Sequence, residues 1–261
     1  MDLKKILITN DDGFDSKGLS ALVEALRPLG QVVVVAPSME KSASGHSLTL
    51  TRPLRFVCID DDFYKLDDGT PTDCVFLALH KLYGEDDKPD IIVSGINRGA
   101  NMGEDITYSG TASAAMEAVL QGIPAIAISQ VCADNCEDID QLGYELAKES
   151  IYDIVRRILN GDFPLADRKF LNINVPPIKK NECKGYKITR AGNRYYGNDA
   201  EMHRNPRGVE YYWIGLPHLD WIESEGHISD FEATNGGYIS ITPIHLDMTS
   251  YDDIAKLEEW I

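Results

Sequence analysis

The chain has 261 residues, is 43% hydrophobic, and sets 25 basic against 42 acidic side chains, a net charge of −17. Such a surface repels polyanions, which excludes a nucleic acid polymer as the expected partner. No apolar run approaches the ~20 residues that span a bilayer, so no membrane contact is expected either.

The opening Met1-Asp2-Leu3-Lys4-Lys5 lacks a leader's apolar stretch and cleavage site, and the expected location is cytoplasmic. Lys4 to Thr9 then reads as a strand and delivers Asn10-Asp11-Asp12-Gly13. Ser16 offers a helix cap, followed by Leu19, Leu22, Val23 and Leu26 at helical spacing. Gln31 to Ala36 is β-branched and apolar throughout, as a strand covered on both faces should be, and Pro37 stops it. A polar loop with Lys41-Ser42-Ala43-Ser44-Gly45-His46-Ser47 leads to extended segments between Leu48 and Ile59. Thr70-Pro71 reads as a cap with proline at the first helical position, ahead of the stripe Val75, Leu79 and Leu82.

Asp90 to Ser94 is the next expected core strand, and the Gly- and Asn-rich stretch Gly95 to Gly110 its loop. Thr111 to Gln121 predicts a helix packed through small residues, Pro124 to Ser129 a strand, Ile139 to Leu159 a long helix, and Phe170 to Val175 a strand. This rhythm predicts a three-layer α/β/α, Rossmann-like fold around a mostly parallel sheet. After Pro176-Pro177, Lys184 to Tyr196 and Gly208 to Leu216 read as exposed hairpin strands, Gly236 to Ile244 as a late strand and Tyr251 to Ile261 as a terminal helix. The expected division is a catalytic core over 1–180 and a C-terminal extension over 181–261. The extension is too thin to own a core and is expected to lie on the main unit or reach a neighbouring subunit. Its Tyr195, Tyr196, Tyr211 and Tyr212 either stack a base or pack hairpin against hairpin.

The odd set Cys58, Cys74, Cys132, Cys136 and Cys183 suggests reduced thiols. Cys132 and Cys136 have no second Cys/His pair of zinc-site spacing, so zinc is not expected there.

Three loops at strand ends carry the suggestive chemistry. In open α/β sheets, ligands gather in the crevice at the carboxyl ends of the strands. The first loop offers Asp11 and Asp12, the second Ser42, the third Asn97 followed by Asn101. Each has an ordinary explanation, since Asn, Asp and Gly also build plain turns. Together they are oxygen donors suited to one Mg²⁺ or Mn²⁺ ion. Ser109-Gly110-Thr111 precedes a helix, where free amides cap the helix and also favour a phosphate. That set predicts hydrolysis of a phosphomonoester by cation-activated water, with attack by Asp11 to form an aspartyl-phosphate as the other possible route. Lys41 and His46 stay open between catalytic roles and ordinary loop roles; for His46 the catalytic role is proton donation to the leaving alkoxide.

The combination resembles the SurE family of stationary-phase survival proteins. The matching stretches are Ile8 to Gly13, Val35-Ala36-Pro37 with Lys41 to Ser47, Gly69 to Val75, Ser94 to Gly99, Asn101-Met102-Gly103 and Ser109-Gly110-Thr111. They run in order to about Ser129, with echoes at Asp230 to Ala233 and Gly237 to Pro243. The resemblance implies Asp11, Asp12, Ser42 and Asn97 as metal ligands. It implies 5′- and 3′-nucleotidase activity on nucleoside monophosphates, sometimes extended to short polyphosphate. It also implies a homodimer or homotetramer that exchanges the C-terminal hairpin region.

Two related designs fit less well. A phosphoacceptor receiver domain would need an Asp where Ser94-Gly95 stands, and a haloacid-dehalogenase phosphatase would separate its two aspartates by one residue. The reading from a different class is a non-catalytic nucleotide-binding or scaffold protein.

Overall fold

The computed structural model describes residues 3–261 except 133–135, 137, 138, 140, 141, 162, 164, 197–199, 216–219 and 224. Strands β1 (Lys5–Thr9), β2 (Gln31–Pro37), β3 (Arg55–Asp60), β4 (Phe63–Asp67), β5 (Ile91–Arg98), β6 (Ala125–Gln130), β7 (Lys169–Val175), β8 (Tyr186–Ile188) and β13 (Ile239–His245) form one sheet. Its order is β3-β4-β2-β1-β5-β6-β7-β13-β8. β4, β2, β1, β5, β6 and β7 pair in parallel, whereas β3 and β13 run antiparallel to β4 and β7. The chain winds outward from β1 to β2, returns to β5 on β1's other side, and winds outward again to β6 and β7. β1 and β5 therefore flank the point where the winding reverses, the expected place for a ligand crevice.

Helices cover both faces, so the three-layer α/β/α expectation holds. α1 (Lys17–Leu26) and α4 (Glu145–Leu159) bury Leu19, Leu22, Leu26, Ile151 and Val155 against Ile6, Ile8, Val93 and Ile128. α2 (Pro71–Lys81) and α3 (Gly110–Leu120) bury Val75, Leu79, Ala114 and Ala118 against Leu7, Val35, Ile92 and Ala127. Alternate residues of the same strands feed the two clusters, which is why these strands read as unbroken apolar runs. Fully burying each Ile, Leu or Val stabilises the fold by about 1.5–3 kcal/mol. The caps read from sequence are present: Ser16 accepts from the Leu19 amide, and Thr70 forms a capping box with Asp73.

β5 does not end at Ser94. It continues to Arg98 through an irregularity in its pairing with β6, and this carries Asn97 onto the strand itself, opposite Ser129. The expected long helix is interrupted: Ile139 and Leu142 are helical, Gly143 and Tyr144 form a turn, and α4 begins at Glu145; residues 140 and 141 lie outside the described set. The hairpin also differs. β10 (Ala200–Arg204) pairs with β11 (Glu210–Ile214), β9 (Asn193–Arg194) pairs with β12 (Trp221–Ile222), and β8 extends the main sheet. Leu216, the expected end of that region, lies outside the described residues. α5 (Asp230–Asn235) and α6 (Tyr251–Trp260) complete the elements described here.

Cys132 and Cys136 are paired as a disulfide, which corrects the expectation of reduced thiols for that pair; Cys58, Cys74 and Cys183 are free. Among the described residues no helix is long and apolar enough to cross a membrane.

Candidate active site at the ends of β1 and β5

The turn after β1 is built by Asn10. Its wholly buried side chain donates to the Gly13 carbonyl at 2.9 Å and to Ser16 Oγ at 2.8 Å. Gly13 has φ +102, a conformation L side chains rarely adopt, so the turn requires glycine. This fixes Asp11 pointing inward, 3% exposed, and leaves Asp12 half-buried beside it.

Asp11 meets the first turn of α3. Its Oδ2 accepts from the Thr111 amide at 3.1 Å, and its Oδ1 accepts from the Thr111 hydroxyl. The Thr111 hydroxyl also lies 3.4 Å from Asn97 Oδ1, so one residue bridges the acid of β1 and the amide of β5. Asn97 is oriented by its own Nδ2, which donates to the Gly99 carbonyl at 2.8 Å and leaves Oδ1 facing the site. Asp12 Oδ2 accepts from the Arg98 amide at 3.0 Å.

Burial raises the Asp11 carboxyl above its ordinary range, against the hydrogen bonds from Thr111. Asp12 is pushed up to about 7, first by burial, then by the charges of Asp11 and Glu40. Two neighbouring carboxylates that resist ionising together form a site that a dication would relieve. The donors expected from the sequence, Asp11, Asp12, Asn97 and Ser42, are all oxygens, a chemistry suited to a hard divalent cation and not to zinc or copper. No cluster of three or more His, Cys, Asp or Glu side chains suited to a metal occurs among the described residues.

The other expected residues are placed unequally. Ser42 lies on the exposed rim, and its hydroxyl donates to Glu40 Oε1 at 2.8 Å. The Lys41 amide, donating to the Asp11 carbonyl at 2.7 Å, anchors that rim beside the acids. Asn101 is 8% exposed, and its Nδ2 donates to Ser129 Oγ at 2.9 Å; its backbone is held by Asn172 and Asn174. Ser109 is buried and caps α3 by accepting from the Ala112 amide at 2.9 Å. Gly110 is closely packed: a Cβ there would stand 2.8 Å from Asp11 Cβ, 2.9 Å from Asp11 Oδ2 and 3.0 Å from Ser44 Oγ. Part of the donor array expected to face phosphate therefore holds Asp11.

Glu40 and Glu117 were not singled out from the sequence, and Asp230 entered only as part of an echo of the family pattern. Glu40 sits two positions before Ser42 in the same loop. Glu117 is the lone carboxylate of a helix made of small residues, which was a legible signal. Asp230 is wholly buried and accepts from the Gly103 amide at 2.8 Å and the Gly192 amide at 2.9 Å. It ties the segment leading to Ser109 to the root of the C-terminal extension, where Arg194 also pairs with Asp105.

Comparisons with known proteins give a consistent result. A family model described as Survival protein SurE matches residues 6–198. The chain is 67% identical over 258 residues to the 5′-nucleotidase SurE of Sulfurovum sp. (strain NBC37-1), covering 99% of this chain and 98% of that protein. It is 63% identical over 260 residues to the 5′-nucleotidase SurE of Aliarcobacter butzleri (strain RM4018), covering 99% of each. Among solved structures, the crystal structure of the Sure protein from Aquifex aeolicus matches with a TM-score of 0.83 and 44% identity, over 98% of this chain and 99% of that one.

Proposed function

The chain belongs to the SurE family and is an enzyme of the 5′-nucleotidase type; on that premise we propose that it hydrolyses nucleoside 5′-monophosphates to nucleoside and phosphate with one divalent cation, Mg²⁺ or Mn²⁺. The same chemistry extends in this reading to 3′-monophosphates and short polyphosphate. The observation that carries it is the junction of Asp11, Thr111 and Asn97, where β1, α3 and β5 meet at the reversal of the sheet's winding.

Asp11, Asp12 and Asn97 would hold the cation, with Ser42 joining them once its hydroxyl leaves Glu40. When bound, the cation supplies a Lewis acid that neutralises phosphate charge and acidifies a water. The chain's own residues supply orientation. Thr111 fixes both oxygens of Asp11, and the Arg98 amide fixes Asp12. The Ser109 hydroxyl and the start of α3 face the phosphoryl oxygens, where a helix N-terminus favours developing negative charge. Asn101, tied to Ser129, Asn172 and Asn174, holds the substrate-side loop rigid.

The 181–261 extension serves in this reading as the assembly arm of a homodimer or homotetramer in the cytoplasm. Support comes from β10–β11, where Met202, Tyr212, Trp213 and Ile214 are all exposed. Phosphate release from AMP and GMP with Mn²⁺, abolished by EDTA, tests the reading. Absence of release from any nucleotide or small phosphoester would favour the non-catalytic scaffold instead.

A further inference from the structure

Glu117 is 4% exposed, yet its carboxyl lies below the usual range: burial pushes it up, while hydrogen bonds from His46 and Gln121 and the charges of His46 and His80 outweigh that push. Its Oε1 accepts from Gln121 Nε2 at 2.9 Å, and its Oε2 stands 3.1 Å from His46 Nε2. His46 is 71 residues away in the chain and its side chain is 31% exposed. Among the described residues, Nδ1 of that ring has no hydrogen-bond partner. His80, the other titratable group facing Glu117, is turned to its own helix, with Nδ1 2.7 Å from the Phe76 carbonyl.

The ring's position follows from the helix. Glu117 is seven residues after Gly110, two turns along the same face of α3 and about 10 Å further on its axis. That face is the one Asp11 and Ser44 approach at Gly110. A helical glutamate leans back toward the N-terminus, and the loop carrying His46 crosses α3 at its start, where the Gly45 amide donates to the Tyr108 carbonyl at 3.0 Å. The imidazole therefore lies along the face of α3 that begins at Gly110, between the loop's crossing and Glu117, oriented by a buried carboxylate and open at its other nitrogen. A fixed ring with one free nitrogen is the arrangement required of a general acid.

We propose that His46 donates the proton to the departing nucleoside oxygen, and that Glu117 is the positioning residue that orients its ring. This rests on the phosphomonoesterase reading above. As water's oxygen bonds to phosphorus, its protons staying with the new phosphate until one passes to solvent, the bond from phosphorus to the nucleoside oxygen breaks and its electron pair stays on that oxygen. The proton of His46 Nδ1 passes to it and gives the alcohol. The imidazole, now neutral, takes a proton back from solvent, and Glu117 stays ionised throughout.

The test compares two leaving groups with Mn²⁺ as cofactor. AMP releases a basic alkoxide that needs a proton, whereas p-nitrophenyl phosphate releases a stable phenolate that does not. His46→Ala is expected to lower kcat on AMP about 100-fold, within the range for general acids, and to lower it on p-nitrophenyl phosphate no more than a few-fold. Glu117→Gln should show the same selectivity to a smaller degree, with circular dichroism confirming the fold. Equal losses on both substrates would overturn the proposal and make the pair a loop anchor. Full AMP activity in His46→Ala would overturn it as well. An unmutated protein inactive on both esters would refute the phosphomonoesterase reading itself.

Discussion

Asp11 and Thr111 stand 100 residues apart in the chain and form one structural unit: the threonine's amide and hydroxyl each hold one oxygen of the aspartate. An acid at the end of β1 is thereby locked to the first turn of α3, and any cation it binds is registered against the helix end proposed to receive phosphate. Removing the hydroxyl tests that lock. Thr111→Val should weaken Mn²⁺ binding and lower turnover about tenfold or more, since a hydrogen bond to a charged group contributes about 1.5–3 kcal/mol. Thr111→Ser should restore most of both. Mn²⁺ titrations of AMP hydrolysis check this, and a valine variant equal to the unmutated protein would contradict it.

Asp11→Asn removes charge where the cation is proposed to sit while leaving a similar shape. Turnover should nearly vanish with the melting temperature within a few degrees of the unmutated protein. Near-normal rates would refute the metal role of Asp11.

Gly110→Ala places a methyl group against Asp11 and Ser44 at 2.8 to 3.0 Å. Asp11 resists displacement, because Thr111 holds its carboxylate and the Lys41 amide holds its carbonyl. Overpacking of this kind costs about 1–3 kcal/mol, and displacing Asp11 should also cut kcat. Thermal melts with steady-state rates check both; a variant with full stability and rate would show that the close approach is unimportant.

Asp12, pushed up to about 7 in the folded chain against an ordinary value of 3.8, gives a pH signature. A folded-state value above the unfolded one contributes stability that is complete below the unfolded value and lost as pH rises through the folded value. The metal-free protein should lose stability between about pH 4 and 7 from this group. Mn²⁺, which binds the ionised form, should raise the melting temperature by an amount that grows across the same window. A metal-induced shift independent of pH would contradict this account of Asp12.

The exposed side chains of β10–β11 bear on assembly. Trp213 and Ile214 are 65% and 85% exposed, values that favour a covered interface in the working protein. Trp213→Glu combined with Ile214→Lys should shift the mass by light scattering toward monomer. An unchanged mass would remove the hairpin from the assembly arm.

Much of the fold was legible because its signals are local. Gln31 to Ala36 reads as a doubly covered strand, and Thr70, Pro71 and Asp73 carry a cap, a first-turn proline and a capping-box acid within four residues. β5 was read short because Gly95 looks like a breaker; pairing with β6 on one side carries the strand past it. β10 was missed because Ala200 to Arg204 is short, holds no Val, Ile, Thr, Phe, Tyr or Trp, and becomes a strand through its partner β11. The acids and Asn97 were visible as residues at strand ends, but their meeting through Thr111 was not. The pairs Glu117 with His46 and Asp105 with Arg194 span 71 and 89 residues, distances at which no local pattern exists.

The most direct test of the metal platform is anomalous diffraction from crystals of the unmutated protein soaked in Mn²⁺. The account predicts one peak per chain ligated by Asp11, Asp12 and Asn97, with the Ser42 hydroxyl turned from Glu40 toward the ion. A peak elsewhere, or none between these side chains at a concentration that supports turnover, would contradict it.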